Sequence, residues 1–202
     1  FLLEKIVSLV KVSEILDFLD ANEHQRPVTI RKNTIRTSHN NLEHILNERG
    51  VRLAPVGKWT KIGLMVIESQ VPVGATPEYL SGYYMLQSPS SFLPVISLNP
   101  RPGSRVLDMC AAPGGKTTHM AQLMKNQGLI VANDFHKART NALVANIHRL
   151  GVVNTIVVNY DGRAFPEVMG GFDYVLCDAP CSGTGVISRD PSVKTTKTEQ
   201  DL

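Results

Sequence analysis

Four aspartates in the second half of the sequence each follow a short apolar run that fits a buried strand. The carboxyl ends of parallel strands meet at one edge of a sheet, so these acids would line a single rim. One aspartate at a strand end commonly caps the next helix. Four in succession indicate a ligand site at that rim. They are Asp108, Asp134, Asp161 and Asp178.

The turn after the first of these runs consists of small residues and glycines, DMCAAPGGKT over residues 108–117. Such a turn lets the backbone approach a ligand closely, and the following helix offers free N–H groups. A phosphate-binding loop would need a glycine where Cys110 stands, which disfavours a P-loop ATPase, and the dinucleotide fingerprint Gly-x-Gly-x-x-Gly is absent. The turn therefore predicts contact with an adenosine or amino-acid moiety, which suits S-adenosyl-L-methionine.

Two of the acids have expected roles in holding that cofactor. Asp134, after the second strand, is placed to accept hydrogen bonds from ribose hydroxyls, as the corresponding acid does in dinucleotide folds. Asp161, in the segment YDGR, is placed to meet the adenine edge. Asp134 could also cap the following helix, and the two roles are compatible.

A thiol follows the fourth strand, in the segment Asp178-Ala-Pro-Cys181. Methylation of carbon 5 of a pyrimidine uses a thiolate that adds to carbon 6, so that carbon 5 becomes nucleophilic enough to take a methyl group. We therefore expect Cys181 to be catalytic, with Asp178 as an acid near ring nitrogen 3. The alternative for Cys181 is a small buried filler, which is the role we assign to Cys177.

Positive charge is concentrated near the amino terminus, although the net charge of the chain is only +3. Residues 24–42 and 49–67 contain no acid, and Trp59 lies in the second stretch. Basic stretches with an aromatic can form a nucleic-acid surface, although an ordinary solvated face is the plainer alternative. The candidate RNA contacts are Arg31, Lys32, Lys58 and Lys61.

The cysteine count argues against a zinc site or a disulfide framework, because the three cysteines include no CxxC pair. No metal site is expected. No apolar run approaches the roughly 20 residues of a membrane helix, so no membrane segment is expected either.

From Ser104 onward, strands alternate with helices, which predicts a parallel, doubly wound sheet. The expected strands cover 105–109, 129–133, 154–159 and 172–177, and the expected helices cover 114–125 and 136–150. The first part of the chain predicts a small α/β domain over residues 1–74, with strands at 28–35 and 64–68. Residues 75–202 would form the start of the second domain, with helix-start signals at Thr76-Pro77 and Ser88-Pro89.

The motifs DMCAAPGGKT, ANDFHKAR, NYDGR and DAPCSGTG, in this order, resemble those of the Sun-type RNA cytosine-5 methyltransferases. Further segments, among them RPVTIRKNT and GVISRDPSVK, are similar to the nucleolar branch that modifies large-subunit ribosomal RNA. The resemblance implies a Rossmann-like methyltransferase domain after a small RNA-recognition-like domain. It also implies a cofactor pocket formed by Cys110, Ala111, Ala112, Pro113, Gly114, Gly115, Lys116, Asp134, Arg139, Asp161 and Asp178.

The resemblance places two cysteines in the reaction. Cys181 would assist release of the methylated RNA, and the attacking nucleophile would lie in a Thr-Cys segment on the next strand. No Thr-Cys pair occurs in these 202 residues, so the expectation is that they alone transfer little or no methyl group.

The resemblance also implies partners and a location. We expect ribosomal RNA and pre-ribosomal particles as partners, and the nucleus, specifically the nucleolus, as the location. A ribosome-assembly scaffold that binds RNA and cofactor without needing methyl transfer is the alternative to an enzyme.

Overall fold

The computed structural model describes residues 1–37 and 39–201 of the chain. The chain divides into two compact units. One contains Phe1–Pro27 and Pro180–Leu202, and the other contains Val28–Ala179. Within the described residues, every helix falls short of the length and apolar character needed to cross a membrane.

The elements alternate along most of the chain. The helices are α1 Leu2–Leu9, α2 Ile15–Glu23, α3 His39–Glu48, α4 Pro77–Leu80, α5 Leu93–Leu98, α6 Gly115–Leu123, α7 Lys137–Leu150, α8 Phe165–Val168 and α9 Val193–Thr196. The strands are β1 Thr29–Lys32, β2 Val51–Pro55, β3 Gly63–Ser69, β4 Tyr84–Leu86, β5 Arg105–Asp108, β6 Leu129–Asn133, β7 Thr155–Val158 and β8 Tyr174–Leu176.

The first sheet is antiparallel, with strand order β2-β3-β1-β4. All four residues of β1 are buried, and β1 pairs with β3 on one side and with β4 on the other. Ile30 of β1 packs with Leu42 and Leu46 of α3 in a small hydrophobic core. Helix α4 connects β3 to β4 of the same sheet, and at its start the Thr76 hydroxyl accepts a hydrogen bond from the N–H of Tyr79 at 3.1 Å. The predicted helix start at Thr76-Pro77 is thereby confirmed.

The second sheet is parallel, with strand order β7-β6-β5-β8. The chain runs outward from β5 through β6 to β7 and then returns to place β8 on the other side of β5. The carboxyl ends of β5 and β8 therefore form the switch point at which open α/β sheets bind ligands. Helices α6 and α7 pack on this sheet around a core that includes Val106, Met120 and Leu143.

The predicted doubly wound sheet is confirmed, and its four strands and two long helices lie within three residues of their expected bounds. Two strands of the first sheet, β2 and β4, were not predicted. Strand β4 pairs with β1 although it lies beyond residue 74, so the first sheet extends past the expected domain boundary.

Candidate cofactor and catalytic site

The glycine turn lies at the carboxyl end of β5 and is held by the neighbouring strand. The N–H of Ala111 donates to the carbonyl of Asn133 at 2.7 Å, and the N–H of Gly114 donates to the carbonyl of Ala111 at 2.7 Å. Gly114 has φ +99°, and a Cβ there would lie 3.0 Å from Leu143 Cδ1. A side chain is therefore excluded at this position on both conformational and steric grounds. Helix α6 begins at the next residue.

Asp108 is the most deeply buried of the four rim acids, with 1% of its surface exposed. Its Oδ2 accepts a hydrogen bond from the Thr117 hydroxyl at 2.7 Å, whereas Oδ1 has no hydrogen-bond partner among the described residues. Burial raises the pKa of Asp108 to about 6, and the negative charge of Asp178 adds to the rise, while the Thr117 hydrogen bond opposes it. This carboxyl group thus titrates close to neutral pH.

Asp134 is buried and connects the glycine turn to the loop after β6. Its Oδ2 accepts from the N–H of Ala112 at 3.1 Å, and its Oδ1 accepts from the N–H of His136 at 3.0 Å. Arg139 lies with Nη1 3.4 Å from Oδ2 and donates through Nη2 to the Ala112 carbonyl at 2.8 Å. Asp134 thus fixes the loop before α7, but the N-cap residue of α7 is His136 and no side chain caps this helix, so the helix-cap alternative for Asp134 was wrong. Its ribose contact stays a prediction.

The other two rim acids each pair with a cation. Asp161, after β7, forms an ion pair with Arg163 at 2.6 Å, and the hydrogen bonds from Arg163 lower the pKa of Asp161 to about 2. Asp178, after β8, pairs with Lys116 of the glycine turn. The structure thus joins Asp178 to the turn directly, whereas Asp161 is turned toward its own loop.

The three thiols have different surroundings. Cys110 is partly buried, and burial raises the pKa of its thiol. Cys177 is exposed, just beyond the end of β8, so its expected role as a buried filler was wrong. Cys181 is also exposed, which agrees with the expectation of an accessible thiol. Its catalytic role stays a prediction.

Two of the four candidate RNA contacts are buried and need correction. Arg31 and Lys32 are each 1% exposed, on a strand whose residues are all buried. Lys32 forms an ion pair with Glu43 at 2.7 Å, and Arg31 contacts the start of α6. Lys58 and Lys61 are exposed, on either side of the half-exposed Trp59, and remain candidates for an RNA surface.

Asn133, which the sequence analysis did not single out, is a central connector of the site. It is fully buried, and its Nδ2 donates to the carbonyls of Met109 and Tyr160, each at 3.0 Å. Its Oδ1 accepts from the N–H of Tyr160 at 2.7 Å. One side chain thus joins the loops that follow β5 and β7. The available signal was an uncharged polar residue at the end of the apolar strand LIVAN.

Metal binding has no support within residues 1–37 and 39–201, where no group of three or more potential ligands is close enough to hold an ion. The chemistry available at the switch point is that of backbone N–H groups, buried carboxylates and the thiols of Cys110 and Cys177. A family model described as 16S rRNA methyltransferase RsmB/F matches residues 95–202. The chain belongs to this family.

Whereas the family description names 16S rRNA, relatives of this RsmB/F-family chain are named for 25S and 28S rRNA. It is 64% identical over its full length to the 25S rRNA (cytosine-C(5))-methyltransferase nop2 of Schizosaccharomyces pombe, and spans 33% of that protein. It is 60% identical over its full length to a human 28S rRNA (cytosine(4447)-C(5))-methyltransferase, and spans 25% of that protein. The chain therefore spans about a quarter to a third of the length of these relatives.

The fold of the RsmB/F-family chain is also seen in a solved structure. A methyltransferase homologue from Pyrococcus horikoshii is 38% identical to it, with a TM-score of 0.80 over 87% of this chain and 57% of the other. The expected Rossmann-like methyltransferase architecture is thereby confirmed.

Proposed function

We propose that the chain is part of an enzyme that transfers a methyl group from S-adenosyl-L-methionine to carbon 5 of a cytosine in large-subunit ribosomal RNA. The observation that carries the proposal is the 64% identity, over the whole chain, to a 25S rRNA cytosine-C5 methyltransferase. The site geometry supports it, because the glycine turn and the acid-bearing strand ends lie at the switch point of a parallel sheet.

The residues present fit that cofactor. The turn from Cys110 to Lys116 leads directly into α6, which begins at Gly115. The first N–H groups of this helix have no partner within the helix. Gly114 has the left-handed backbone conformation of this turn, φ +99°, and its missing side chain leaves room for Leu143 of α7. The buried Asp108 Oδ1 leaves an acceptor unused at the carboxyl end of β5. We assign the hydrogen-bonding contacts to Asp134, Asp161 and Asp178, with Arg139 orienting Asp134 through their 3.4 Å contact.

When bound, S-adenosyl-L-methionine supplies an electrophilic methyl group. The chain must supply the acid that assists addition of a thiol to the cytosine ring, and Asp178 is our candidate. Asp178 is exposed and paired with Lys116, so it is accessible at the rim where the base would enter. Cys181 follows three residues later and is exposed, and we assign it to release of the methylated RNA.

Membership of the family does not by itself specify which ribosomal RNA is the substrate or where in the cell the protein acts. The family model is described for 16S rRNA, whereas the two relatives above act on 25S and 28S rRNA and are 64% and 60% identical. We therefore propose large-subunit RNA as the substrate, pre-ribosomal particles as partners and the nucleolus as the location.

The proposal is tested with the full-length protein, S-adenosyl-L-methionine labelled in its methyl group, and unmodified large- and small-subunit ribosomal RNA. We expect one labelled 5-methylcytidine in digested large-subunit RNA under single-turnover conditions, and none in small-subunit RNA. Labelling of small-subunit RNA alone would overturn the substrate assignment. Cofactor binding without any labelling would support the assembly-scaffold alternative.

A further inference from the structure

Arg31 is a cation of the first sheet whose head group contacts the cofactor turn of the second. It lies on β1 and is 1% exposed. Its Nη1 donates to the carbonyl of Gly115, the first residue of α6, and its Nη2 donates to the Thr118 hydroxyl at 2.8 Å. The Thr118 hydroxyl in turn donates to the carbonyl of Gly114 at 2.7 Å. The guanidinium thus fixes the backbone on both sides of the start of α6.

Gln87 completes this contact from the same sheet. Its Oε1 accepts from Arg31 Nη1 at 2.6 Å. Gln87 is itself fixed on β1, because its N–H donates to the Thr29 carbonyl at 3.1 Å and its carbonyl accepts from the Thr29 hydroxyl at 2.7 Å. A Cβ on Gly115 would lie 3.4 Å from Gln87 Nε2. The turn therefore rests against an anchored arginine–glutamine pair.

Arg31 is a buried cation, and its hydrogen-bond partners among the described residues are all neutral. Gly115, Thr118 and Gln87 offer oxygen atoms without a full charge. Arg149, whose positive charge acts on Arg31, and His119, on which the charge of Arg31 acts, bring no negative charge either. Burying a cation without an anionic partner is costly, and a hydrophobic residue of similar size commonly gives equal or greater stability. Stability alone therefore does not account for an arginine at this position.

We propose that Arg31 is a positioning residue for the cofactor: it holds the Gly114–Gly115 backbone in the conformation that receives S-adenosyl-L-methionine. This inference rests on the proposed function, since residues 110–116 are the turn assigned to the cofactor. The planar guanidinium suits the role because its two nitrogens reach Gly115 and Thr118 at once, which a lysine ammonium does less rigidly. The first sheet thus contributes to cofactor binding without touching the cofactor.

Lys32 provides a matched control on the same strand. It is the next residue, equally buried, and its ammonium pairs with Glu43 of α3. Arg31→Met and Lys32→Met each remove one buried cation from β1. A general loss of stability in the first sheet would follow from both changes, whereas a loss of order in the cofactor turn would follow from the first alone.

The test uses the full-length protein as parent, Arg31→Met, Arg31→Lys and Lys32→Met. Amide hydrogen exchange without cofactor is measured in peptides covering residues 114–119, and S-adenosylhomocysteine affinity is measured by calorimetry. We expect Arg31→Met to speed exchange in those peptides and to raise the dissociation constant about tenfold. Arg31→Lys, which keeps the charge but has a single nitrogen in place of the guanidinium fork, should be intermediate, and Lys32→Met should match the parent in both measurements.

Three results would count against this role. Unchanged exchange at residues 114–119 in Arg31→Met would overturn it whether or not the cofactor binds. Equal weakening of binding in Arg31→Met and Lys32→Met would show that Arg31 affects binding only through the general stability of the first sheet. Faster exchange at residues 114–119 in Arg31→Met with unchanged S-adenosylhomocysteine affinity would show that order in the turn does not affect cofactor binding. A parent protein that binds no S-adenosylhomocysteine would instead overturn the proposed function, and the exchange measurement would still decide whether Arg31 orders the turn.

Discussion

The Thr117 hydroxyl donates a hydrogen bond of 2.7 Å to the buried carboxyl group of Asp108, and this contact connects the first turn of α6 to the end of β5. A hydroxyl donor favours the ionised carboxylate, whereas burial favours the neutral acid. Burial dominates here, so the pKa of Asp108 rises from 3.8 to about 6. Asp108 therefore makes the stability of this sheet depend on pH.

The first prediction concerns that dependence. Because the pKa of Asp108 is raised in the folded state, its contribution to the free energy of unfolding is greatest below about pH 4 and declines as the pH rises to about 6. The rise corresponds to about 3 kcal/mol. Asp108→Asn should lack this decline, so the variant gains stability relative to the parent between pH 4 and pH 7. Thermal unfolding across that range, compared between the two proteins, measures the difference.

Thr117→Val supplies a second readout of the same pair. Without the hydroxyl donor, the ionised form of Asp108 loses a favourable contact, so the decline in stability should shift to higher pH than in the parent. A stability difference between the parent and Asp108→Asn that stays constant from pH 4 to pH 7 would show that Asp108 does not titrate there.

The second prediction concerns Asp134. Asp134→Ala should weaken S-adenosylhomocysteine binding by more than about 1 kcal/mol, or at least about fivefold, because a charge-assisted hydrogen bond to the cofactor is lost. The Ala112 N–H and Arg139 also lose their partner, so the turn itself becomes less ordered. Asp173→Ala is the control, since Asp173 also accepts from a backbone N–H, that of Arg105 at 2.8 Å, but at the opposite edge of the sheet. If calorimetry shows equal S-adenosylhomocysteine affinities for Asp134→Ala and Asp173→Ala, Asp134 does not bind the ribose.

The third prediction concerns RNA. Lys58→Glu with Lys61→Glu should weaken RNA binding and reduce the magnitude of its salt slope by about 1 to 2, because fewer counterions are released. Trp59 between them offers an exposed ring for stacking on a base. The exposed pair Lys5 and Lys11, reversed in the same way, is the control. Identical salt slopes for the two double variants would assign Lys58 and Lys61 to an ordinary solvated face.

The parallel sheet was predictable because its signals are local. Apolar runs such as LIVAN are followed by an acid, and the Gly-containing turns between them stop each element. The first sheet was less predictable, because β2 and β4 are short and become strands only by pairing with β3 and β1. Sequence periodicity carries little information about such pairings.

The misassignment of Arg31 has a related physical cause. An arginine in an acid-free stretch suggests a solvated cation, and burial of its head group depends on residues far along the chain. The carbonyl that receives its hydrogen bond lies 84 residues away, at Gly115. Asn133 was missed for the same reason, since its partners belong to the loops after two other strands. Such contacts follow from the tertiary fold rather than from local pattern.

The last prediction concerns Cys181 and the order of events at the base. If Cys181 assists product release and the nucleophile lies in a Thr-Cys segment elsewhere in the full-length protein, Cys181→Ala should still attack RNA. The thiol–base bond formed in that attack would then break slowly, and a covalent protein–RNA adduct should accumulate. A denaturing gel with labelled RNA measures this adduct. The exposed Cys177→Ala serves as the matched control and should accumulate none.

The double variant decides between the two thiols. Replacing both Cys181 and the cysteine of the Thr-Cys segment should abolish the adduct, because both thiols assigned to the reaction are then gone. An adduct that persists in the double variant would point to a different nucleophile. Methyl transfer by residues 1–202 alone would make Cys181 the attacking thiol, because it is the cysteine that follows the acid Asp178 in the exposed segment after β8.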